Sequence, residues 1–162
     1  MVSVGCAMRL NGVVSSGLGR AHVFMAQSHY QDQFREVLGN TAWPGTLNLN
    51  VSGDSLSKSI ALRNKAGLDT LELDEEIISS SKKIDVSEFE NIRIRGFLRE
   101  GVSFGGATAY KIKIETPNED IDAAILIPDL TRHVDVVEII ATKFLRESMN
   151  LKDGDQITVE LL

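Results

Sequence analysis

The chain of 162 residues contains a single cysteine, Cys6, and only three prolines. A lone cysteine forms no internal disulfide, so the fold does not depend on oxidation and a reducing cytoplasm is the expected location. No apolar run approaches the roughly 18 residues that a membrane-spanning helix needs. Residues 1–7 lack the basic and apolar regions of a signal peptide. We therefore expect a cytoplasmic protein with no membrane partner.

Basic residues are fewer than acidic residues in this chain. Lys and Arg number 17 against 23 Asp and Glu, which gives a formal net charge of −6. Proteins that grip a nucleic-acid backbone usually carry a basic excess, because neutralising phosphates supplies most of their affinity. We expect no nucleic-acid partner, which argues against a DNA-binding barrel. A small cationic site for a nucleotide is still compatible with this charge.

The remaining composition is that of a soluble globular protein, with 43% hydrophobic and 25% charged residues. A chain of this length can bury a core in one domain without disulfides or a structural metal. We expect a single domain over residues 1–162. The stretch 52–90, rich in acids and serines, is predicted to be a long excursion carrying one or two short elements. The sequence leaves the oligomeric state open, a monomer included.

Hydrophobic alternation and β-branched content predict mostly strands. The strand segments are residues 8–14, 22–26, 46–51, 92–98, 107–115, 123–127, 136–140 and 156–162. Turns are predicted at 43–45, 101–106 and 152–155. No regular alternation of strands and helices supports a parallel sheet. The fold class is therefore mainly β: a compact barrel of six to seven strands with two short helices.

The first of these helices has clear boundary signals. Ser28 and Gln31 form a capping box, and Gly39 provides the C-terminal stop. The apolar face of this helix consists of Tyr30, Phe34, Val37 and Leu38. The second helix is predicted to start at a Thr142 cap and to run through Glu147.

A glycine-containing loop lies between the first two predicted strands. It reads Gly17, Leu18, Gly19, Arg20, Ala21 and His22. Glycines allow successive backbone N–H groups to face one point and bind an anion, to which Arg20 and His22 could add cationic donors. The position between strands is not that of a Rossmann fingerprint, and the chain has no Walker-type Gly-Lys-Ser/Thr. A tight β-turn without a ligand is the alternative.

A second candidate site is the segment Pro44–Leu49. Residues two apart in a strand project from the same face, so Thr46 and Asn48 point together while Leu47 and Leu49 enter the core. A hydroxyl and an amide oxygen are suitable ligands for a Mg²⁺ ion that also binds substrate phosphates. The alternative is the polar face of a half-buried strand.

A third candidate segment spans residues 131–146. Glu138 interrupts an apolar run, where it could bind a ligand hydroxyl or simply occupy an exposed alternating position. Lys143 and Arg146 lie three apart on the second predicted helix, so they share a face that could bind phosphate or remain solvated. The three histidines do not have the spacing of a zinc site.

Taken together, these motifs resemble the archaeal CTP-dependent riboflavin kinase family over nearly the whole chain. The matching stretches are Val14–Gly19, Pro44–Leu49, Val137–Ile140, Leu145–Glu147 and Asn150–Asp155. The resemblance implies a cradle-loop β-barrel with a closing turn at Asp153–Asp155. It also implies a phosphotransferase that acts on CTP and riboflavin with Mg²⁺. Some members of that family carry an additional N-terminal winged-helix domain, for which we expect no room here.

The resemblance implies roles for the candidate residues. Residues 17–22 would wrap the CTP phosphates, and the nucleotide site would be completed by Lys143, Phe144, Leu145 and Arg146. Thr46 and Asn48 would hold Mg²⁺. Thr131 and Glu138 would contact the ribityl chain of the flavin or its new phosphate, and Glu138 is the candidate catalytic residue that orients the 5′-hydroxyl of riboflavin.

The chain departs from the family pattern in two places. Arg20 and Ala21 stand where the family often has an acid and a third glycine, and His22 stands where a basic or small residue is usual. The stretch 52–90 is longer than is usual in the family. A non-catalytic barrel that senses flavin or nucleotide is the alternative function.

Overall fold

The computed structural model describes residues 8–17, 24–68, 73–130 and 133–162 of the protein. Its strands are β1 (Arg9–Ser15), β2 (Leu47–Asn50), β3 (Asn91–Ile94), β4 (Phe97–Arg99), β5 (Val102–Phe104), β6 (Ala107–Ile114), β7 (Ile121–Pro128), β8 (Val136–Ile140) and β9 (Gln156–Leu161). Its helices are α1 (Ser28–Leu38), α2 (Gly53–Lys65), α3 (Glu75–Lys82) and α4 (Leu145–Ser148). Within these described ranges, every helix is too short or too polar to cross a lipid bilayer.

Six antiparallel strands close into a barrel in the order β6-β7-β8-β2-β1-β9, and β9 pairs back onto β6. Strand β3 adds to the outside of this ring through β6, while β4 and β5 form a separate hairpin. The mainly β barrel of six to seven strands predicted from the sequence is confirmed. Two of the four described helices, α2 and α3, are elements of the predicted 52–90 excursion.

Alternation along the strands separates two apolar clusters. The barrel interior is filled by side chains that include Leu10, Leu49, Ile112, Ile139 and Val159. The outer cluster lies between helix α1 and the barrel wall, and it contains Tyr30, Phe34, Val37, Ala109, Ala124, Leu126 and Ile140. This part of the barrel wall is therefore buried on both faces, because neighbouring residues of β7 and β8 pack in opposite clusters.

Helix α1 ends as predicted but starts differently. Gly39 adopts a left-handed conformation with φ 79°, and its N–H donates to the carbonyl of Arg35. The predicted capping box is wrong, because the N-cap residue is Gln27 and no side chain caps the helix. The Gln31 amide instead bonds Met25 O and the backbone of Ala42, which ties the helix to the following loop.

Three further boundaries depart from the sequence prediction. The predicted strand 22–26 is wrong where it is described, because Phe24–Met25 is helical and a turn follows. The predicted strand 92–98 is split into β3 and β4, and β5 occupies the predicted turn 101–106. The hairpin reverses at Glu100 and Gly101, both with positive φ. Short exposed strands of this kind have too few alternating residues to be recognised.

Helix α2 closes one end of the barrel. Leu62 packs in the interior cluster, and the carbonyl of Leu62 accepts a 2.7 Å hydrogen bond from the Tyr110 hydroxyl of β6. Ser55 Oγ accepts the backbone N–H of Asn11 at 2.9 Å, and Lys58 Nζ donates to the Arg9 carbonyl. These bonds fix the orientation of α2 relative to β1 and β6.

Candidate active site

A row of paired residues crosses four strands on the outer face of the barrel. Asn48 of β2 lies opposite Ser15 of β1 on one side and opposite Glu138 of β8 on the other. Glu138 in turn lies opposite Leu126 of β7, which belongs to the outer cluster. Directly opposed residues project from the same face with Cβ atoms roughly 5 Å apart. The strand register therefore brings Asn48 and Glu138 side by side, although they are distant in sequence.

A hydroxyl group and a glycine lie against the Asn48 side chain. Thr46 Oγ1 donates a 2.7 Å hydrogen bond to Asn48 Oδ1, as expected for residues two apart on one strand face. A Cβ placed on Gly17 would lie 2.5 Å from Asn48 Nδ2. The first residue of the glycine loop thus passes directly over Asn48, and a larger residue at position 17 would displace the amide.

The start of this loop is held by the turn that precedes β9. Asp153 Oδ1 accepts from Arg146 Nη2 at 2.7 Å, and Asp153 Oδ2 accepts from the Ser16 hydroxyl at 2.6 Å. Arg146 Nη2 also donates to the Ser15 carbonyl. The Ser16 and Arg146 donors lower the pKa of Asp153, so the carboxylate stays ionised. The turn is joined to β1 again by hydrogen bonds between Val14 and residues Gly154 and Asp155.

A cleft with an open volume of about 330 Å³ lies where β2 starts and β8 ends. Its lining includes Thr46, Lys143, Phe144 and Arg146. One wall is aromatic, because the rings of Trp43 and Phe144 stack with centroids 5.0 Å apart and an interplanar angle of 16°. Both rings are partly exposed, at 45% and 40%. An exposed stacked pair beside cationic side chains is suited to a heteroaromatic ring that carries phosphate.

A second, smaller cavity, open to solvent, lies at the opposite end of β8. It is lined by apolar residues of β7 and β8, by Glu138, and by Ser59 and Arg63 of α2. Burial raises the pKa of Glu138, and the nearby His133 offsets part of this rise. Glu138 thus belongs both to this cavity and to the row that contains Asn48.

The oxygen atoms of Thr46 and Asn48 fit a magnesium ion. Their separation of 2.7 Å is close to the edge of about 3 Å in an octahedron with metal–oxygen bonds of about 2.1 Å. In the part of the chain that the structure describes, no group of three or more His, Cys, Asp or Glu side chains is placed to hold a metal. A metal on these two neutral ligands would take the rest of its shell from phosphate and water.

The structure places the predicted site residues in two groups. Thr46, Lys143, Phe144 and Arg146 line the cleft, while Glu138 lines the cavity and Asn48 lies between them. The side chain of Leu145 is only 4% exposed and packs in the barrel core, so only its backbone can reach a ligand. Leu18, Gly19, Arg20, Ala21, His22 and Thr131 lie outside the described residues.

The prediction that Lys143 lies on the second helix is wrong. Lys143 and Arg146 were expected to share a helix face, but α4 begins at Leu145 and Lys143 precedes it. The cleft nevertheless includes both. Sequence reasoning also missed Trp43, which it treated only as part of a turn, and the Ser16–Asp153 contact. The available signal for Trp43 was its place beside Pro44 and Gly45, next to the candidate metal ligands.

Comparison with known families agrees with this geometry. A family model described as "Domain of unknown function DUF120", with the short label CTP-dependent riboflavin kinase, matches residues 14–82 and 67–161. These two segments cover most of the chain. The chain belongs to the CTP-dependent riboflavin kinase family. The family match spans every described residue of the row, the cleft and the cavity.

Several archaeal proteins named riboflavin kinase are similar to this member of the family. The protein of Thermoplasma acidophilum is 33% identical over 152 residues, which is 94% of this chain and 56% of the relative. That of Thermoplasma volcanium is 30% identical over 99% of this chain and 60% of the relative. That of Methanosarcina acetivorans is 34% identical over 95% of this chain and 54% of the relative. The chain thus spans little more than half the length of these relatives.

Proposed function

We propose that this chain is a CTP-dependent riboflavin kinase. It transfers the γ-phosphoryl group of CTP to the 5′-hydroxyl of riboflavin, which yields FMN and CDP and requires Mg²⁺. One observation carries the proposal: the aromatic cleft, the Thr46–Asn48 pair and Glu138 lie along the β2–β8 pair, and the apolar cavity adjoins Glu138 at β7 and β8. A donor nucleotide in the cleft and an acceptor in the cavity meet at Asn48 and Glu138.

The cleft is the nucleotide side of this arrangement. The exposed Trp43–Phe144 stack supports a cytosine ring, and Lys143 and Arg146 add positive charge near the phosphates. Arg146 Nη2 binds Asp153 and the Ser15 carbonyl. A guanidinium has five N–H donors, and these two bonds use two of them. Arg146 therefore joins the nucleotide site to the start of the glycine loop.

The centre of the site serves phosphoryl transfer, in which the protein mainly positions reactants and neutralises charge. Thr46 Oγ1 and Asn48 Oδ1 would hold Mg²⁺, which would supply positive charge to the CTP phosphates. Residues 17–22, which begin directly over Asn48, supply backbone N–H donors to the same phosphates. The placement of Gly17 against Asn48 supports this role for the loop.

The acceptor side consists of Glu138 and the apolar cavity. The Glu138 carboxylate accepts a hydrogen bond from the riboflavin 5′-hydroxyl and orients its oxygen toward the γ-phosphorus. Its position opposite Asn48 supports this role, because the reacting oxygen must lie beside the metal-bound phosphates. Thr131, between β7 and β8 in the sequence, is proposed as a second flavin contact on the strength of the family resemblance.

The test of this function is turnover by the chain alone. Incubation with CTP, Mg²⁺ and riboflavin should yield many FMN and CDP molecules per chain, resolved by reversed-phase chromatography. Binding of riboflavin and CTP without FMN would contradict the enzyme and favour a flavin- or nucleotide-sensing barrel. Because the chain spans only 56% of a relative such as that of Thermoplasma acidophilum, the experiment also tests whether this region is sufficient for catalysis.

The aromatic wall leads to a prediction for Trp43. Trp43→Ala removes one ring of the stack, and stacking of an aromatic side chain on a base contributes about 1–3 kcal/mol. We expect the KM for CTP to rise roughly tenfold or more, while the KM for riboflavin stays within twofold. Initial-rate kinetics with each substrate varied in turn measure both values.

Leu98→Ala is the control for Trp43→Ala, because Leu98 is a large apolar residue that is 75% exposed on the separate β4–β5 hairpin. It should leave both KM values unchanged. An equal rise of both KM values in Trp43→Ala would show that Trp43 supports the barrel rather than the base.

A further inference from the structure

Helix α2 contributes a buried cation to the acceptor side of the site. Arg63 is only 7% exposed and lines the same cavity as Glu138. Among the described residues, no acceptor lies within hydrogen-bonding distance of its Nε. Burial lowers the pKa of Arg63. A buried guanidinium in such surroundings costs free energy of folding unless it gains a partner.

The other walls of the cavity indicate which kind of ligand suits Arg63. Ile125, Leu126, Ile127, Val136 and Val137 supply apolar surface from β7 and β8. Such walls favour a flat apolar ring over a free inorganic anion, since ligand sites combine apolar walls with a few polar groups that fix orientation. Arg63 offers a planar set of donors to a ring edge that carries hydrogen-bond acceptors.

The orientation of riboflavin in the site follows from the proposed function, on which this inference rests. The 5′-hydroxyl of riboflavin must lie beside Asn48 and Glu138, where the phosphoryl group arrives. The ring system must then extend away from Asn48 into the cavity, toward the side that α2 provides. The isoalloxazine ring carries two carbonyl oxygens on its pyrimidine edge, and these are acceptors for a guanidinium.

We propose that Arg63 is a flavin-binding residue whose guanidinium donates hydrogen bonds to the carbonyl edge of the isoalloxazine ring. The segment 52–90 then has a function: α2 closes the barrel with Leu62 and delivers the next residue, Arg63, to the substrate. The Tyr110 hydroxyl holds the Leu62 carbonyl, which fixes the turn of α2 that carries Arg63.

The experiment compares Arg63→Met with wild type. Methionine retains much of the buried volume but removes the donors, so the dissociation constant for riboflavin should rise about tenfold or more, as expected for a hydrogen bond to a charged group. Quenching of flavin fluorescence measures this constant without nucleotide. The KM for CTP should remain unchanged. The melting temperature should not fall, because a buried cation without a protein partner does not stabilise the fold.

Matched variants and a second probe sharpen the test. Arg35→Met, the same substitution at an exposed arginine of α1, should have no effect on flavin binding. Arg63→Lys should recover part of the affinity, because an ammonium group still donates hydrogen bonds but lacks the planar geometry of the guanidinium. Lumichrome, which has the dione ring but no ribityl chain, should lose affinity for Arg63→Met in the same proportion as riboflavin.

Two results would overturn the inference for Arg63. One is unchanged riboflavin affinity in Arg63→Met, whatever its stability. The other is a loss confined to riboflavin, with lumichrome unaffected, which would move the contact from the ring to the ribityl chain. Neither outcome affects the proposed kinase activity, which fails separately if wild type binds riboflavin but forms no FMN.

Discussion

Asn48→Leu should lose on the order of 10²-fold or more in kcat/KM for FMN formation, which corresponds to about 3 kcal/mol of transition-state stabilisation. Leucine has a similar volume, but it lacks the amide oxygen that accepts from Thr46 at 2.7 Å. If Asn48 Oδ1 is a metal ligand as proposed, the variant loses that oxygen and part of the charge neutralisation that phosphoryl transfer requires. Riboflavin binding without nucleotide should change little. Steady-state kinetics at several Mg²⁺ concentrations beside a thermal melt measure these effects.

Asn50→Leu is the matched control for this variant. Asn50 lies two residues further along β2, on the same outward face, and is exposed. The same substitution there should leave kcat/KM within about twofold, because Asn50 is exposed and has no role in the proposed metal, nucleotide or flavin sites. If Asn48→Leu melts like wild type and keeps near-normal activity at low Mg²⁺, the assignment of Thr46 and Asn48 as metal ligands is wrong.

Glu138→Gln should lower kcat on the order of 10²-fold, the lower range for a group that positions or accepts the reacting proton. The amide keeps the shape of the side chain but accepts a hydrogen bond more weakly than the carboxylate does. Wild-type kcat should fall on the acid side as Glu138 is protonated, and this acid limb should be absent in Glu138→Gln. Burial moves that limb to a pH above the ordinary Glu pKa of 4.5.

Stability provides a second test of the Glu138 assignment. Because the pKa of Glu138 is raised in the folded chain, the folded state binds its proton more tightly than the unfolded state does. The free energy of unfolding should therefore decrease as pH rises from the ordinary Glu pKa through the raised value. Glu138→Gln should lack this decrease, whereas Glu36→Gln, at an exposed position of α1, should retain it. If the decrease in the free energy of unfolding persists in Glu138→Gln, Glu138 is not the group whose pKa is raised by burial.

The sequence predicts some parts of this site because their signals are local. Strand β8 has the predicted bounds of Val136–Ile140, where the Val and Ile content favours a strand over a helix. The shared face of Thr46 and Asn48 follows from the two-residue period of a strand, and the structure shows their side chains in contact. Local signals can also mislead. The Ser28–Gln31 pattern suggests a capping box, but Gln31 finds better partners in Met25 and Ala42.

Other parts depend on pairings that no local pattern encodes. The juxtaposition of Asn48 and Glu138 requires the register of β2 against β8, which is set when the ring of six strands closes. The Trp43–Phe144 stack joins residues far apart in the chain. Arg63 looks like a surface helix residue in the sequence, and only the packing of Leu62 into the barrel turns it inward.

The most direct test of the central claim is the initial rate of FMN formation with CTP and with ATP at matched concentrations. The chain has no Walker-type lysine, so recognition of the nucleotide depends on the base cleft and the glycine loop. The account predicts steady FMN and CDP production with CTP and Mg²⁺, and a clearly slower rate with ATP. No FMN with CTP, or a rate with ATP that equals or exceeds it, would contradict the account.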